Sequence, residues 1–265
     1  MRAKLYVIKG SHACRSAILM LDYKGIPYEL VTFPSGMHPM RLALAGFAGT
    51  ANAQRTIDGS KHPMVSLNDR LGTVPALRYG DERVMTNHDI ARFIEQREPA
   101  SPLFPADAGL RERVEAAEAW GDQELQMSAR RLILTAGGAG KLTTGGSEGL
   151  LGPLLFSNPQ VRRYASRGFA TVFASSQRRE PQLLGQARAE LDHVDELISA
   201  GTVNGEQLNV ADFVIAPSVA LLAYHRELGP EIEGRPGGRM LERVFAVRTP
   251  NGAQAPQAPS PQPTG

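Results

Sequence analysis

A proline at the mouth of a strand limits what this chain can fold into. Gly72-Thr73-Val74-Pro75-Ala76-Leu77 reads as a strand that opens on Val74-Pro75. Proline donates no ladder hydrogen bond, so it belongs on an edge, at a strand's first residue or at a bulge. An X-Pro bond is also the one peptide bond commonly found in the cis form, typically in a tight turn. Tyr79-Gly80-Asp81 then turns the chain into Val84-Met85, and Thr86-Asn87 stands like a cap before the helical pattern Ile90, Phe93, Ile94. A strand whose Val74 amide and carbonyl face outward is a ready edge for another extended chain.

The bulk properties narrow the classes of function. With 265 residues there is room for one large or two modest domains. The net charge of +2 is spread over both signs, with no basic block interleaved with aromatics, so nucleic acid is not expected as a partner. The arginine pairs Arg130-Arg131, Arg162-Arg163 and Arg178-Arg179 are expected on solvated helix faces. One cysteine, Cys14, excludes an intramolecular disulfide framework and a cysteine-rich metal site. His12 and His38 have no companions at metal-ligand spacing, so no metal is expected. Gly140-Lys141 lacks the spacing of a phosphate-binding loop. Met1-Arg2-Ala3-Lys4 runs straight into a strand-like stretch, so the expectation is a soluble cytoplasmic protein without signal peptide or membrane span.

Along the chain, Lys4-Leu5-Tyr6-Val7-Ile8 is a short apolar strand. Ser11 stands where a helix cap belongs, before a stripe of Ala13, Ala17, Met20 and Leu21. Gly25-Ile26-Pro27 stops that helix, and Tyr28–Phe33 is a second strand, which makes a βαβ unit with parallel strands. A short helix is expected from His38, an irregular insertion over 48–69, and then the Val74-Pro75 strand, the Val84 strand and the Ile90 helix. Three prolines between Glu98 and Phe104-Pro105 favour an extended linker. Beyond it the pattern is helical: Leu110 to Leu134, a glycine-rich break from Gly137 to Gly149, and Leu183 to Ile198. Asn209-Val210-Ala211-Asp212 has the form of a capping box with Asp at its fourth position, and the helix it starts carries Pro217 inside it. The tail 249–265 reads as disordered.

These features together resemble the glutathione S-transferase superfamily, of theta-like or related bacterial type. Ser11-His12-Ala13-Cys14-Arg15 is similar to its Ser-x-x-Cys-Arg signature, and Val74-Pro75-Ala76-Leu77 to its Val-Pro-x-Leu segment with a cis-proline. Thr86-Asn87-His88-Asp89-Ile90 occupies the place of an acidic or amide residue followed by Ser and x-x-Ile, and Leu208–Phe213 resembles the capping-box helix of the C-terminal domain. The resemblance implies an α/β thioredoxin-like N-terminal domain over residues 1–97, a Pro-rich linker over 98–107 and an all-helical C-terminal domain over 108–248, with a cleft between the two domains. It further implies a homodimer that conjugates or reduces small electrophiles, as in detoxification, with glutathione or another low-molecular-weight thiol as co-substrate. The alternative is a non-catalytic module that uses the same fold to bind a ligand or a partner protein.

On that resemblance, Val74 and Pro75 present the edge that pairs with the thiol peptide's backbone, and Thr86 and Asn87 hold its γ-glutamyl end. A free thiol has a pKa of roughly 8.5 and must ionise to attack. Ser11 precedes a helix whose free amides and dipole favour negative charge, so it serves either as thiolate stabiliser or only as helix cap. Cys14 offers a minor monothiol route, but it shares a helical face with Ile18 and Leu21, and a packing role is the preferred reading. Thr86 and Asn87 supply no carboxylate, and capping alone also accounts for them. The electrophile pocket is expected between Ser11 and the first long helix beyond the linker. Trp120, Gln123 and Met127 line one face of it and His38 closes the other side, with core packing as the competing fate of Trp120.

Overall fold

The computed structural model describes residues 3–8, 10–33, 38–47, 72–135 and 177–247. The insertion over 48–69, the break from Gly137 to Gly149 with Gly140-Lys141, the pair Arg162-Arg163 and the tail 249–265 lie outside the described residues.

The chain opens with strand β1 (Ala3–Ile8), helix α1 (His12–Tyr23), strand β2 (Tyr28–Phe33) and the short helix α2 (His38–Leu44). Strands β3 (Ala76–Tyr79) and β4 (Glu82–Met85) and helix α3 (Asn87–Arg97) follow. The sheet order is β2-β1-β3-β4, with β1 parallel to β2 and antiparallel to β3, and β3 antiparallel to β4. Central β1 buries Ala3, Leu5, Tyr6 and Val7 in an almost unbroken run, as a strand covered on both faces must. Ser11 caps α1 by accepting from the Cys14 amide at 3.3 Å. Gly25, at φ +67°, supplies the left-handed turn that releases the chain from the helix into β2.

One boundary differs from the sequence expectation. β3 begins at Ala76, and Val74-Pro75, joined by a cis peptide bond, forms a bend just before it. The ladder between β1 and β3 ends at the Tyr6–Ala76 pair, so Val74 lies outside it.

Beyond the linker the described residues are helical. Helix α4 (Ala108–Trp120) passes through a π turn (Gly121–Leu125) directly into α5 (Gln126–Ile133). A 3₁₀ turn (Gln177–Arg179) leads into α6 (Glu180–Ser199), followed by α7 (Val210–Leu222), α8 (Leu228–Glu233) and α9 (Pro236–Phe245). The α7 capping box is complete, with the Asp212 carboxylate accepting from the Asn209 amide at 2.8 Å. Helix α7 is buried on nearly every side, the mark of a helix at the centre of a bundle. It packs on α1, where Tyr23 and Phe213 meet with ring centroids 5.0 Å apart. A sheet-and-helix N-terminal part followed by a helical part is the architecture expected from the sequence.

The arginine pairs divide. Arg178 and Arg179 are exposed, whereas Arg131 is only 3% exposed and lies within electrostatic reach of the Glu190 carboxylate. The helical phase of α5 turns Arg131 inward towards α6, which a local charge pattern does not reveal.

Candidate functional site

A cavity of about 280 Å³ opens between the sheet domain and helices α4 and α5. Thr73, Val74 and Pro75 form one side, the N-terminal turn of α3 from Thr86 to Asp89 another, and Ala13 of α1 contributes from below. Glu118, Ala119, Asp122, Gln123 and Gln126 complete the wall.

The bend at Val74 and the start of α3 are clipped together, because the Thr86 amide donates to the Pro75 carbonyl at 3.2 Å. Thr86 pays for this position with φ 73° and ψ 150°, a region almost reserved for glycine that costs a side chain about 1–3 kcal/mol. Its hydroxyl accepts from the Asp89 amide at 3.2 Å, which caps α3. The amides of Asn87 and His88 stand in the first turn, where helical N–H groups have no partner within the helix and attract anions. Among the described residues neither the amide nor the carbonyl of Val74 has a hydrogen-bond partner. Asn87 is 2% exposed and its Oδ1 has no partner either. A buried amide oxygen left unmatched is costly, and such atoms concentrate where a ligand supplies the missing donor.

Across the cavity, Glu118 is buried and held by a two-pronged contact from Arg92, with both N–O distances 2.9 Å. His88 Nδ1 lies 3.6 Å from the same carboxylate. Burial raises the Glu118 pKa, and the hydrogen bonds and charge of Arg92, then the charge of His88, oppose that rise. The pair joins α3 to α4 and so sets the width of the cavity mouth. Asp122 accepts from the Gln126 side chain at 3.1 Å.

The residues expected at a site fall into two groups. Val74, Pro75, Thr86, Asn87 and Gln123 all line this cavity. Ser11, Cys14, His38, Trp120 and Met127 do not. Ser11 is half-buried at the start of α1, two residues before the cavity-lining Ala13. Cys14 is 1% exposed within the core, and His38 is buried at the first position of α2. Trp120 is half-buried edge-on against His193, with centroids 4.6 Å apart, and Met127 is buried. Thr73, His88 and Asp89, which belong to the two motifs but had no site role expected of them, also line the cavity, as do Glu118, Asp122 and Gln126. The last three repeat every fourth residue, which places them on one helix face, but charged residues elsewhere along the same helices, such as Arg111, Glu115, Glu124 and Arg130, mask that spacing in the sequence. Among the described residues no group of three or more His, Cys, Asp or Glu side chains is arranged to hold a metal ion, and no helix is long and apolar enough to cross a membrane.

Residues 5–51 match the family model of the glutathione S-transferase N-terminal domain. A glutathione transferase from Phanerochaete chrysosporium has a TM-score of 0.60 at 16% identity, covering 94% of this chain and 98% of that one. A glutathione S-transferase from the Antarctic clam Laternula elliptica has a TM-score of 0.53 at 17% identity, covering 96% and 95%. A maleylacetoacetate isomerase from Anaeromyxobacter dehalogenans 2CP-1, solved with dicarboxyethyl glutathione and citrate in its active site, has a TM-score of 0.54 at 17% identity, covering 98% and 95%. No curated protein matches the sequence. The chain carries the fold of the glutathione S-transferase superfamily, with a thioredoxin-like N-terminal domain.

Proposed function

We propose that the cavity binds glutathione or a closely similar thiol peptide and that the protein transfers this thiol to small electrophiles or uses it to reduce them. One observation carries the reading: Val74, whose backbone has no hydrogen-bond partner among the described residues, lines the same cavity as the capped, anion-ready first turn of α3. An extended peptide pairs its backbone with Val74 and sets its terminal carboxylate on the Asn87 and His88 amides. The Asn87 amide oxygen and the Asp122 carboxylate are acceptors suited to its ammonium. The relative crystallised with a glutathione adduct in its active site supports the same assignment.

In this reading the sulfur lies towards the first turn of α1. The positive end of the α1 dipole favours the thiolate. Ser11 contributes as well, because accepting the Cys14 amide occupies only a lone pair and leaves the hydroxyl hydrogen for the sulfur. The thiol proton passes to water and the thiolate attacks the electrophile. Trp120, Met127 and His38 stand away from this cavity and act by packing. We also read the protein as a cytoplasmic homodimer of detoxifying type.

Calorimetric titration with glutathione tests the reading. Binding at millimolar concentration or tighter is expected, and no heat with glutathione or other cellular thiols overturns it. Ser11→Ala should then lower turnover about tenfold or more while leaving affinity nearly unchanged, the pattern of an interaction made mainly in the transition state.

A second reading, a binding module without catalysis, is favoured by the position of Ser11 outside the cavity lining. Tight thiol binding with no turnover of any electrophile, and no change on Ser11→Ala, would select it.

A further inference from the structure

We propose that His12 is a positioning residue that holds the first turn of α1, with Ser11, at a set distance from the opposite wall of the cavity; this rests on the thiol reading above. His12 follows the cap residue directly and is 9% exposed. Its ring leaves the N-terminal domain and meets α5, where Nε2 lies 3.1 Å from the Gln126 carbonyl oxygen, 114 residues away in sequence. A carbonyl only accepts, so this nitrogen carries the proton and the ring's tautomer is set.

Gln126 is well placed to transmit that contact. It is the first residue after the π turn, and its amide donates to the Gly121 carbonyl. Its side chain donates to Asp122 Oδ1 at 3.1 Å, and both residues line the cavity. One hydrogen bond therefore joins α1's start to the wall that would hold the far end of the ligand. Ser11 lies on one side of His12 and the cavity-lining Ala13 on the other. The field of a helix terminus falls off within its first turn, so an ångström of drift in α1 weakens its hold on a thiolate.

The test uses the full chain and glutathione alone, so it needs no electrophile. The thiolate absorbance of bound glutathione is titrated against pH in the parent, His12→Leu and His12→Gln proteins. Leucine removes the donor, whereas glutamine offers an amide donor near the position of Nε2. The expected result is a bound-thiol pKa raised by about one unit in His12→Leu, a tenfold fall in the ratio of thiolate to thiol at a given pH, with the parent value restored in His12→Gln. A merely structural contact would lower the melting temperature without moving that pKa. An unchanged pKa in folded His12→Leu overturns the role. If the leucine variant does not fold, a parent-like pKa in His12→Gln supports the role and a raised one overturns it. Failure of the parent to bind glutathione overturns the thiol reading itself, which separates the two failures.

Discussion

Lys24 and Glu95 form an ion pair at 2.7 Å between the end of α1 and the last turn of α3. The lysine side chain is 0% exposed, and its ammonium donates to Glu95 and to the carbonyls of Ala100 and Ser101 at 3.0 and 3.1 Å. The same Glu95 oxygen accepts from the Leu103 amide at 3.0 Å. The Pro-rich linker is thus tied to the sheet domain through one fully satisfied charge, and the Leu103 carbonyl in turn accepts from the Val210 amide at the start of α7. This small network links both parts of the fold and keeps the cavity walls in register.

Lys24→Met should therefore destabilise the protein by about 3–5 kcal/mol, since it strands a carboxylate and two carbonyls that lose their common donor. Urea unfolding of the two proteins checks this. A loss below about 1 kcal/mol would mean that water replaces the ammonium freely.

Glu190 predicts a pH dependence of stability. It is buried on α6, accepts from Ser128 and from Gln186 at 3.0 Å, and its pKa is pushed up to about 7, chiefly by burial. A folded-state pKa above the unfolded one means that folding favours the protonated acid. Its stabilising contribution is complete below the ordinary carboxylate range and is lost as pH rises through about 7. The parent should lose stability between about pH 5 and pH 8 relative to Glu190→Gln, so that the variant gains on it as the pH rises. Parallel unfolding curves at both pH values would contradict the assignment.

Gly121 sets how closely the π turn approaches α7. A Cβ placed there would sit 2.9 Å from Ile215 Cγ1 and 3.2 Å from Val214 Cγ1. Gly121→Ala should cost about 1–3 kcal/mol through overpacking and push the cavity wall outward. Thermal melting should show the loss, and the thiol affinity should fall with it, because Asp122 and Gln123 move with the turn.

Asn87 should separate stability from binding. Its unmatched, buried Oδ1 costs the unliganded protein, so Asn87→Leu should leave the melting temperature equal to or above the parent's, a gain of up to about 1 kcal/mol. The same change should weaken glutathione binding about tenfold, because the ligand loses one charge-assisted hydrogen bond. A variant that melts earlier yet binds equally well would assign Asn87 to the fold alone.

The sequence by itself determined what depends on neighbouring residues. Ser11 as the cap of α1, the stop at Gly25, the Tyr28–Phe33 strand, Thr86 at the start of α3 and the Asn209–Asp212 box all follow from short-range geometry and local hydrogen bonds. Pro75 marked an interruption in the hydrogen bonding beside Val74, because an absent N–H has the same meaning in any fold. That the ladder starts only at Ala76 and leaves Val74 outside it came from the tertiary structure. Only the tertiary structure decided which face of α4 and α5 meets the cavity. Gly121 lies hard against α7 and the π turn alters the helical phase, so Glu118, Asp122 and Gln126 face inward while Trp120 packs on His193. The burial of Arg131, the clasp at Lys24 and the reach of His12 to Gln126 were equally hidden in the sequence. Each depends on contacts between segments far apart in the chain, and those distances are set by packing rather than by local preference.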